Sequence, residues 1–332
     1  MILLDADVLG RNRTGEETYM RNLLRSLPHV APDLQFAAVT RRPDLVPDGV
    51  EALALPAHSQ EVRMAWSLPR LLRRLRPGVA HFQHALPLGY GGRSVVTLHD
   101  LHFEHHPAVM SLADRLTFKT MVPRAARRAD HVLAVSERTR RDAIELYGLD
   151  PAKVTVTPHG VDPAFAPGDG AHDYVLFVGA VQGRKDPLAA LAAAQSNGLP
   201  LVVAGPEKEP ALAAELRRRG ADVRGYVSHD ELAELYRGAA ALVLPSLHEG
   251  FGIPVVEAMA SGTPVVLSGD EALREVAGDA AVYASDGDYG SALRRALADR
   301  TTLSAAGLER ARRFSWDEAA RLTADVYREV LA

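Results

Sequence analysis

Leu244-Pro245-Ser246-Leu247-His248-Glu249-Gly250-Phe251-Gly252-Ile253-Pro254-Val255-Val256-Glu257-Ala258-Met259-Ala260 is the stretch from which the rest of the chain can be read. A β-type apolar run, Ala241–Leu244, ends at Leu244. A glycine-rich turn follows, and Pro254 stands where a first helical residue is expected. Glycines let a backbone approach a ligand closely. The unpaired amides of a helix start can donate to anionic or hydroxyl oxygens. Glu249 sits in the turn, and Glu257 falls about one turn into the helix. Two carboxylates flanking such a turn suit a ligand with vicinal hydroxyls, because a carboxylate accepts from two adjacent OH groups. Either Glu alone has a plainer use, as a dipole partner or a turn cap; the pair with Gly-Phe-Gly-Ile-Pro between them does not reduce to that. A dinucleotide fingerprint also competes, but Val255 stands where its third glycine belongs.

Outward from this segment, short apolar runs alternate with longer amphipathic ones. Ile2–Leu4, Gln35–Thr40, Val79–Phe82, Val95–Leu98, His131–Val135 and Val154–Thr157 read as strands. Glu16–Leu27, Glu61–Leu75, Leu112–Ala129 and Glu137–Tyr147 read as helices between them. The pattern restarts at Tyr174–Val178 and continues through Leu201–Ala204, Val223–Tyr226, Ala241–Leu244, Pro264–Leu267 and Ala281–Tyr283. This alternation predicts an α/β protein with two doubly wound parallel sheets. Residues 165–172, rich in Gly and Pro, read as the linker. The expected domains are 1–165, 173–314 and a Ser-capped helix at 315–332 that packs locally or crosses back to the first. Two such units are expected to face each other across a central cleft, lined by the carboxyl ends of both sheets, where open α/β sheets bind ligands.

The chain has 332 residues, an ordinary apolar share of 47% and no cysteine, so disulfides and thiolate chemistry are excluded. A net charge of −4 argues against nucleic acid as the main partner. No apolar run spans a bilayer, and Met1-Ile2-Leu3-Leu4-Asp5 lacks the basic start of a signal peptide, so the expected location is the cytoplasm.

Other segments carry chemistry. Gly183-Arg184-Lys185-Asp186-Pro187 puts two adjacent cations between a glycine-rich turn and a helix. Fixed cations there suit a diphosphate leaving group and need no metal. Lysine is otherwise scarce, with only Lys119, Lys153 and Lys208 besides, so Lys185 stands out in a chain that defaults to arginine. His99 closes the run Ser94-Val95-Val96-Thr97-Leu98 and is placed at a strand's carboxyl end. Gly15, between the first strand and first helix, allows close backbone approach. Asp5-Ala6-Asp7 has a metal-nucleotide spacing but lies too early, on the first strand. His81, His84, His99, His102, His105 and His106 cluster with a density that zinc could use, though lining of a polar acceptor pocket accounts for it better. Val62–Arg76 is basic and amphipathic, with Pro69 expected to kink it; it reads as a solvated helix face or a contact for an anionic membrane.

The run from Gly250 through Val266 resembles the E-x7-E segment of the retaining nucleotide-sugar glycosyltransferases of family 4, which have the two-domain GT-B fold. The resemblance implies that Glu257 holds the donor ribose hydroxyls. It also implies that Glu249 contacts the donor sugar, with Gly250 and the amides of Phe251, Gly252 and Ile253 around it. Arg184 and Lys185 match the family's donor-phosphate motif, although Ala180 stands where many relatives carry a further arginine. His99 matches a histidine that contacts the donor sugar or its phosphate. Gly15 matches a loop near the donor phosphates, with Glu16 departing from the usual Gly or Ile. Gly225, Tyr226 and Val227 resemble the segment whose backbone meets the nucleobase. His159 replaces a common asparagine in Pro158-His159-Gly160-Val161-Asp162.

The resemblance therefore implies a hexosyltransferase-type enzyme that moves a sugar from a nucleotide-diphosphate donor to a hydroxyl acceptor with retention, on the donor's front face, with no cofactor and no metal. The acceptor would be a carbohydrate, a lipid-linked group or a small molecule, with no nucleic acid partner. Peripheral association with the inner face of a membrane would run through Val62–Arg76. A glycosyl phosphorylase, a nucleotide-sugar epimerase and a non-catalytic nucleotide-sugar-binding module are the alternatives on the same fold.

Overall fold

The structure, a computed structural model, describes residues 1–11, 14–56, 59–105 and 112–332. Asn12 and Arg13 of the first loop and His106 of the histidine group lie outside the described residues. Two compact units are present: Met1–His159 with Trp316–Ala332, and Gly160–Ser315.

The first unit is a parallel sheet of β1 (Ile2–Asp5), β2 (Phe36–Thr40), β3 (Glu51–Ala54), β4 (Val79–Gln83), β5 (Ser94–Leu98), β6 (His131–Ala134) and β7 (Val154–Val156). Their spatial order is β3-β2-β1-β4-β5-β6-β7. Apolar periodicity finds all of them except β3. Glu51-Ala52-Leu53-Ala54 is a largely exposed edge with no β-branched residue, and it is strand only because β2 pairs with it. Alternate residues of each strand go to opposite cores. Ile2, Leu4 and Val95 join a layer with the helices Thr14–Val30 and Trp316–Leu331, while Leu3, Val96 and Leu98 face Leu68, Leu72, Val122 and Ala126.

The helix Trp316–Leu331 buries Trp316, Ala319, Ala320, Thr323, Ala324 and Tyr327, a stripe at helical spacing whose small members allow close packing. Ser26 donates to Asp317 at 2.7 Å, and Arg328 pairs with Asp33 at 2.6 Å. Beneath it, the Tyr327 hydroxyl lies 2.5 Å from His81 Nδ1, and His81 Nε2 lies 2.7 Å from the Thr97 hydroxyl, which also bonds Tyr19 at 3.0 Å. Burial, with His99 adding to it, pushes the His81 imidazole down to about 3.

The basic stretch differs from its sequence reading in two ways. A turn at Gln60–Val62 leads into a wide π turn at Arg63–Ser67 and then the helix Leu68–Leu75. Pro69 has no N–H to give Ala65, and the chain accommodates this in the wider turn before the proline instead of a kink at it. Arg63 also leaves the basic face. It is 0% exposed and grips Asp5 through Nη1 at 3.0 Å and Nη2 at 2.5 Å. Asp7 is engaged by Arg41 at 3.1 Å and Arg11 at 3.3 Å, so the Asp5-x-Asp7 pair is held by guanidinium groups. No helix among the described residues is long and apolar enough to cross a membrane.

The second unit is a parallel sheet of β8 (Tyr174–Val178), β9 (Leu201–Ala204), β10 (Asp222–Gly225), β11 (Ala239–Leu244), β12 (Val265–Leu267) and β13 (Ala281–Tyr283). Its order is β10-β9-β8-β11-β12-β13, which reverses direction between β8 and β11. The stretch 165–172 is docked on this unit. Phe165 packs against His229 and Tyr236 with ring centroids 4.9 and 5.6 Å apart. At Gly170 a Cβ would come within 2.2 Å of the Arg237 carbonyl oxygen, so only glycine fits. The compact first unit accordingly ends at His159, before that stretch.

The buried histidine gives the fold a pH dependence. The His81 pKa in the folded chain lies below its unfolded value, so unfolding takes up a proton. The stability involved is fully present above pH ~6.5 and is lost as pH falls toward 3, at up to about 1.4 kcal/mol per pH unit. His81→Gln keeps a hydrogen-bonding group there and removes the titration. Urea melts between pH 7 and 4 should show a shallower slope for the variant; equal slopes would mean that His81 charges in place at no cost.

Candidate active site

In the second unit, two loops meet where β8 and β11 end. Arg184 and Lys185 occupy the short 3-10 turn Gly183–Lys185, held by Asp186, whose side chain caps the helix Pro187–Ser196 by accepting from the Ala189 amide at 3.2 Å. The loop after β11 is laced to this turn. The Leu247 amide donates to the Arg184 carbonyl at 2.9 Å, and Arg184 Nη1 donates to the His248 carbonyl at 2.9 Å. Lys185 Nζ closes the junction by donating to Glu249 Oε1. Three sequence-predicted residues, Arg184, Lys185 and Glu249, are thus brought together. Burial pushes the Glu249 carboxyl up, but the charge of Lys185, then that of Arg184, outweighs it and holds the group below the usual carboxylate range.

Gly250 and Phe251 lead to Gly252, which caps the helix Ile253–Ala260 with φ +104°, and a Cβ there would lie 2.7 Å from Leu273 Cδ2. Only glycine satisfies both conditions. Ile253 is the first helical residue and Pro254 the second, one position later than the sequence reading places the proline. No side chain caps this helix start; Pro254 has no N–H, and the Val255 amide donates to the Gly252 carbonyl at 2.9 Å. Glu257 lies one turn in, buried, accepting from the Tyr236 hydroxyl at Oε2 over 2.9 Å. Burial pushes its carboxyl up to about 8, the Tyr236 bond opposes this, and the charge of Asp162 adds to it. Burial thus works against the ionised carboxylate that the sequence suggests. Gly225, Tyr226 and Val227 form a turn at the end of β10, with Tyr226 52% exposed. Ser228 then caps the helix His229–Gly238.

In the first unit, His99 follows β5 and is half-buried. Its Nε2 lies 2.8 Å from Gln83 Oε1. The Tyr19 ring meets it edge-on at 4.9 Å, and the rings of His84 and His159 lie at 5.3 and 5.8 Å. Burial, then His84, pushes His99 down to about 4 against the opposing charges of Glu16 and Asp100. Gly15 is in the first turn of the helix Thr14–Val30, next to Glu16, which pairs with His84 at 3.4 Å. Of the same group, His102 pairs with Asp100 at 2.6 Å and His105 with Asp142 at 2.9 Å. Among the described residues, no three His, Cys, Asp or Glu side chains are placed to hold a metal ion.

Two residues that shape these sites escape sequence reading. Tyr236 reads as one more apolar position on an amphipathic helix, and Gln83 as the polar end of a strand; neither belongs to a motif. The contacts that give them roles come from Glu257, 21 positions away, and His99, 16 away.

Comparison with known proteins agrees with this architecture. Residues 13–165 match the family described as Glycosyltransferase Family 4, and residues 166–313 match Glycosyl transferases group 1. O-antigen chain mannosyltransferase B of Escherichia coli is 29% identical over 272 residues, covering 71% of this chain and 70% of that protein. D-inositol 3-phosphate glycosyltransferase of Kineococcus radiotolerans is 33% identical over 252 residues, covering 61% of this chain and 58% of that protein. Among solved structures, Anabaena HepE in complex with UDP-glucose superposes with a TM-score of 0.73 at 14% identity, over 99% of both chains. With both halves matched and two parallel-sheet α/β domains in place, the chain belongs to the group 1, family 4 glycosyltransferases and is an enzyme of the GT-B type.

Proposed function

We propose that this enzyme moves a hexosyl group from a nucleotide-diphosphate sugar to a hydroxyl acceptor with retention of configuration and without metal. The observation that carries the proposal is the junction of Arg184, Lys185 and Glu249. It sets two fixed cations beside the Glu249 carboxylate at the mouth of a parallel sheet, next to the start of the helix Ile253–Ala260. The bond from the anomeric carbon to the diphosphate oxygen breaks while the acceptor oxygen bonds to that carbon on the same face. The acceptor proton passes to the departing phosphate. Arg184 and Lys185 meet the charge that develops on that phosphate, and Glu249 and His99 orient the sugar. Glu257 holds the ribose diol, Gly15 lies by the phosphates, and Gly225–Val227 meet the base. The UDP-glucose bound by HepE, a protein of the same fold, supports a donor of this class.

The acceptor is a carbohydrate, a lipid-linked group or a small molecule, taken at the cytoplasmic face of a membrane. What supports the membrane reading is the surface around the basic stretch. Val62, Trp66 and Leu88 are exposed, with Trp66 57% open. The Arg70 guanidinium lies 3.7 Å over the Trp66 ring, and Arg73 and Arg74 are exposed on the same helix. Aromatic and aliphatic groups among arginines fit an anionic lipid surface.

Lys185→Ala should lower kcat by about 10²–10³-fold, since it removes a charge that acts mainly on the leaving group. Lys185→Arg should recover part of the loss, and unchanged turnover in the alanine variant would sink the assignment. Product analysis with single nucleotide-sugars, with and without acceptor, separates transfer from epimerisation and from phosphorolysis.

Donor binding should also titrate with Glu257. The diol is best met by the carboxylate, so the carboxyl must lose its proton on binding. Affinity for a nucleotide-sugar, which has no group of its own titrating there, should rise about tenfold per unit from pH 6 to 8 and level off above. Calorimetry at pH 6, 7, 8 and 9 measures this, and Glu257→Gln should flatten the curve at weaker affinity. A pH-independent Kd in the wild type would show that the neutral acid holds the ribose.

For the lipid contact, sedimentation with anionic phospholipid vesicles at low salt should retain the protein. Arg73→Glu with Arg74→Glu should release most of it, at about 1 kcal/mol per arginine removed. Equal recovery on neutral vesicles would refute an electrostatic contact.

A further inference from the structure

Gln83 is the last residue of β4, opposite Thr97 of β5, and His99 lies two residues beyond Thr97. This register carries the amide of one strand to the imidazole of the next, where Gln83 Oε1 sits 2.8 Å from His99 Nε2. A carboxamide oxygen only accepts, so Nε2 must carry the proton. The ring is otherwise crowded by rings, with Tyr19 edge-on at 78° and His84 and His159 tilted at 55° and 31°. Nδ1 has no hydrogen-bond partner among the described residues. A neutral imidazole with its proton on Nε2 offers a lone pair at Nδ1 and nothing to donate there.

We propose that Gln83 is a positioning residue that fixes the His99 proton on Nε2, so that Nδ1 accepts a hydrogen bond from a hydroxyl of the donor sugar. This rests on the assignment of His99 to the sugar made above. The groups that set the ring's charge state are His84 and Glu16, which pair with each other, Asp100, His159, and His81 beneath. Burial, then His84, disfavours a charged ring and outweighs Glu16 and Asp100, so the ring stays neutral through the range in which the enzyme would be assayed. The site would therefore distinguish a hydroxyl, which can donate to Nδ1, from a fluorine or methoxy group at the same carbon, which cannot.

The test uses the full chain labelled with 15N at histidine, with the His99 resonances assigned by their loss in His99→Gln. Long-range 1H–15N spectra of the wild type should show the Nε2–H tautomer. Gln83→Leu, which removes the acceptor, should mix the tautomers and lower kcat/KM by about ten- to a hundredfold with an unchanged melting temperature. Gln83→Glu should keep the proton on Nε2 and restore kcat/KM at alkaline pH. Its carboxylate raises the imidazole pKa, so the acid limb of kcat/KM should move to higher pH, which a merely structural role would not do. An Nδ1–H tautomer in the wild type, with the Gln83 amide turned about, would overturn the proposal. So would Gln83→Leu with the tautomer and kcat/KM of the wild type. A changed tautomer with unaltered kcat/KM would overturn the part played in sugar recognition and, with it, the assignment of His99 to the donor.

Discussion

The bond between Lys185 and Glu249 is the constraint on which the second unit's binding surface depends. Both groups are nearly buried, and taking either out of water alone costs several kcal/mol. Each is tolerable only because the other is there. The pair is not free to drift, because its two loops are tied by backbone as well as charge: Leu247 donates to Arg184, and Arg184 donates back to His248. A loop leaving β8 and a loop leaving β11 thus become one rigid floor at the place where the strand order reverses. Pre-organised charge of this kind costs no rearrangement when a ligand's own charge develops against it.

The protonation states around that floor follow one rule. Where a cation faces the carboxyl, as at Glu249, burial loses and the group stays charged. Where the hydrogen-bond partner is a hydroxyl, as at Glu257, burial wins and the carboxyl is pushed up to about 8. His99, His81 and His159 have no carboxylate close enough to reverse burial, so all three are driven toward the neutral ring. Arg184 and Lys185 put two cations on that floor, and a diphosphate is matched better by them than a neutral sugar is.

The amount of this legible in sequence differs by element. Most strands were legible because they are buried on both faces and read as apolar runs, while β7, β10 and β13 kept enough valine to be found; β3 was not, because an exposed edge of Glu, Ala and Leu has no pattern to find. Arg184, Lys185, Glu249 and Gly252 were legible because a helix start after a glycine turn dictates residue types at fixed spacing. The partners were not. Nothing local to Arg63 says that it abandons a basic face to meet Asp5, since that depends on a π turn forced by Pro69. The pull on Glu257 is likewise not local: burial raises its carboxyl and the Tyr236 bond opposes that, neither of which spacing encodes.

The environment of His99 shows how far such non-local control reaches. Trp316, which opens the final helix, lies 5.4 Å from the His159 ring and 6.4 Å from Tyr19, and both of these flank His99. Tyr327, three turns further on, holds His81, and Thr97 bonds both His81 and Tyr19. The last segment of the chain therefore closes a ring of contacts around residues drawn from the helix Thr14–Val30, β4 and β5. Both ring nitrogens of His81 are bonded to hydroxyls, so a second ring proton would leave the hydroxyl that now donates to it without its acceptor, at about 1–3 kcal/mol. That coupling makes the neutral imidazole a property of the whole unit, assembled only once the final helix has returned to the first sheet.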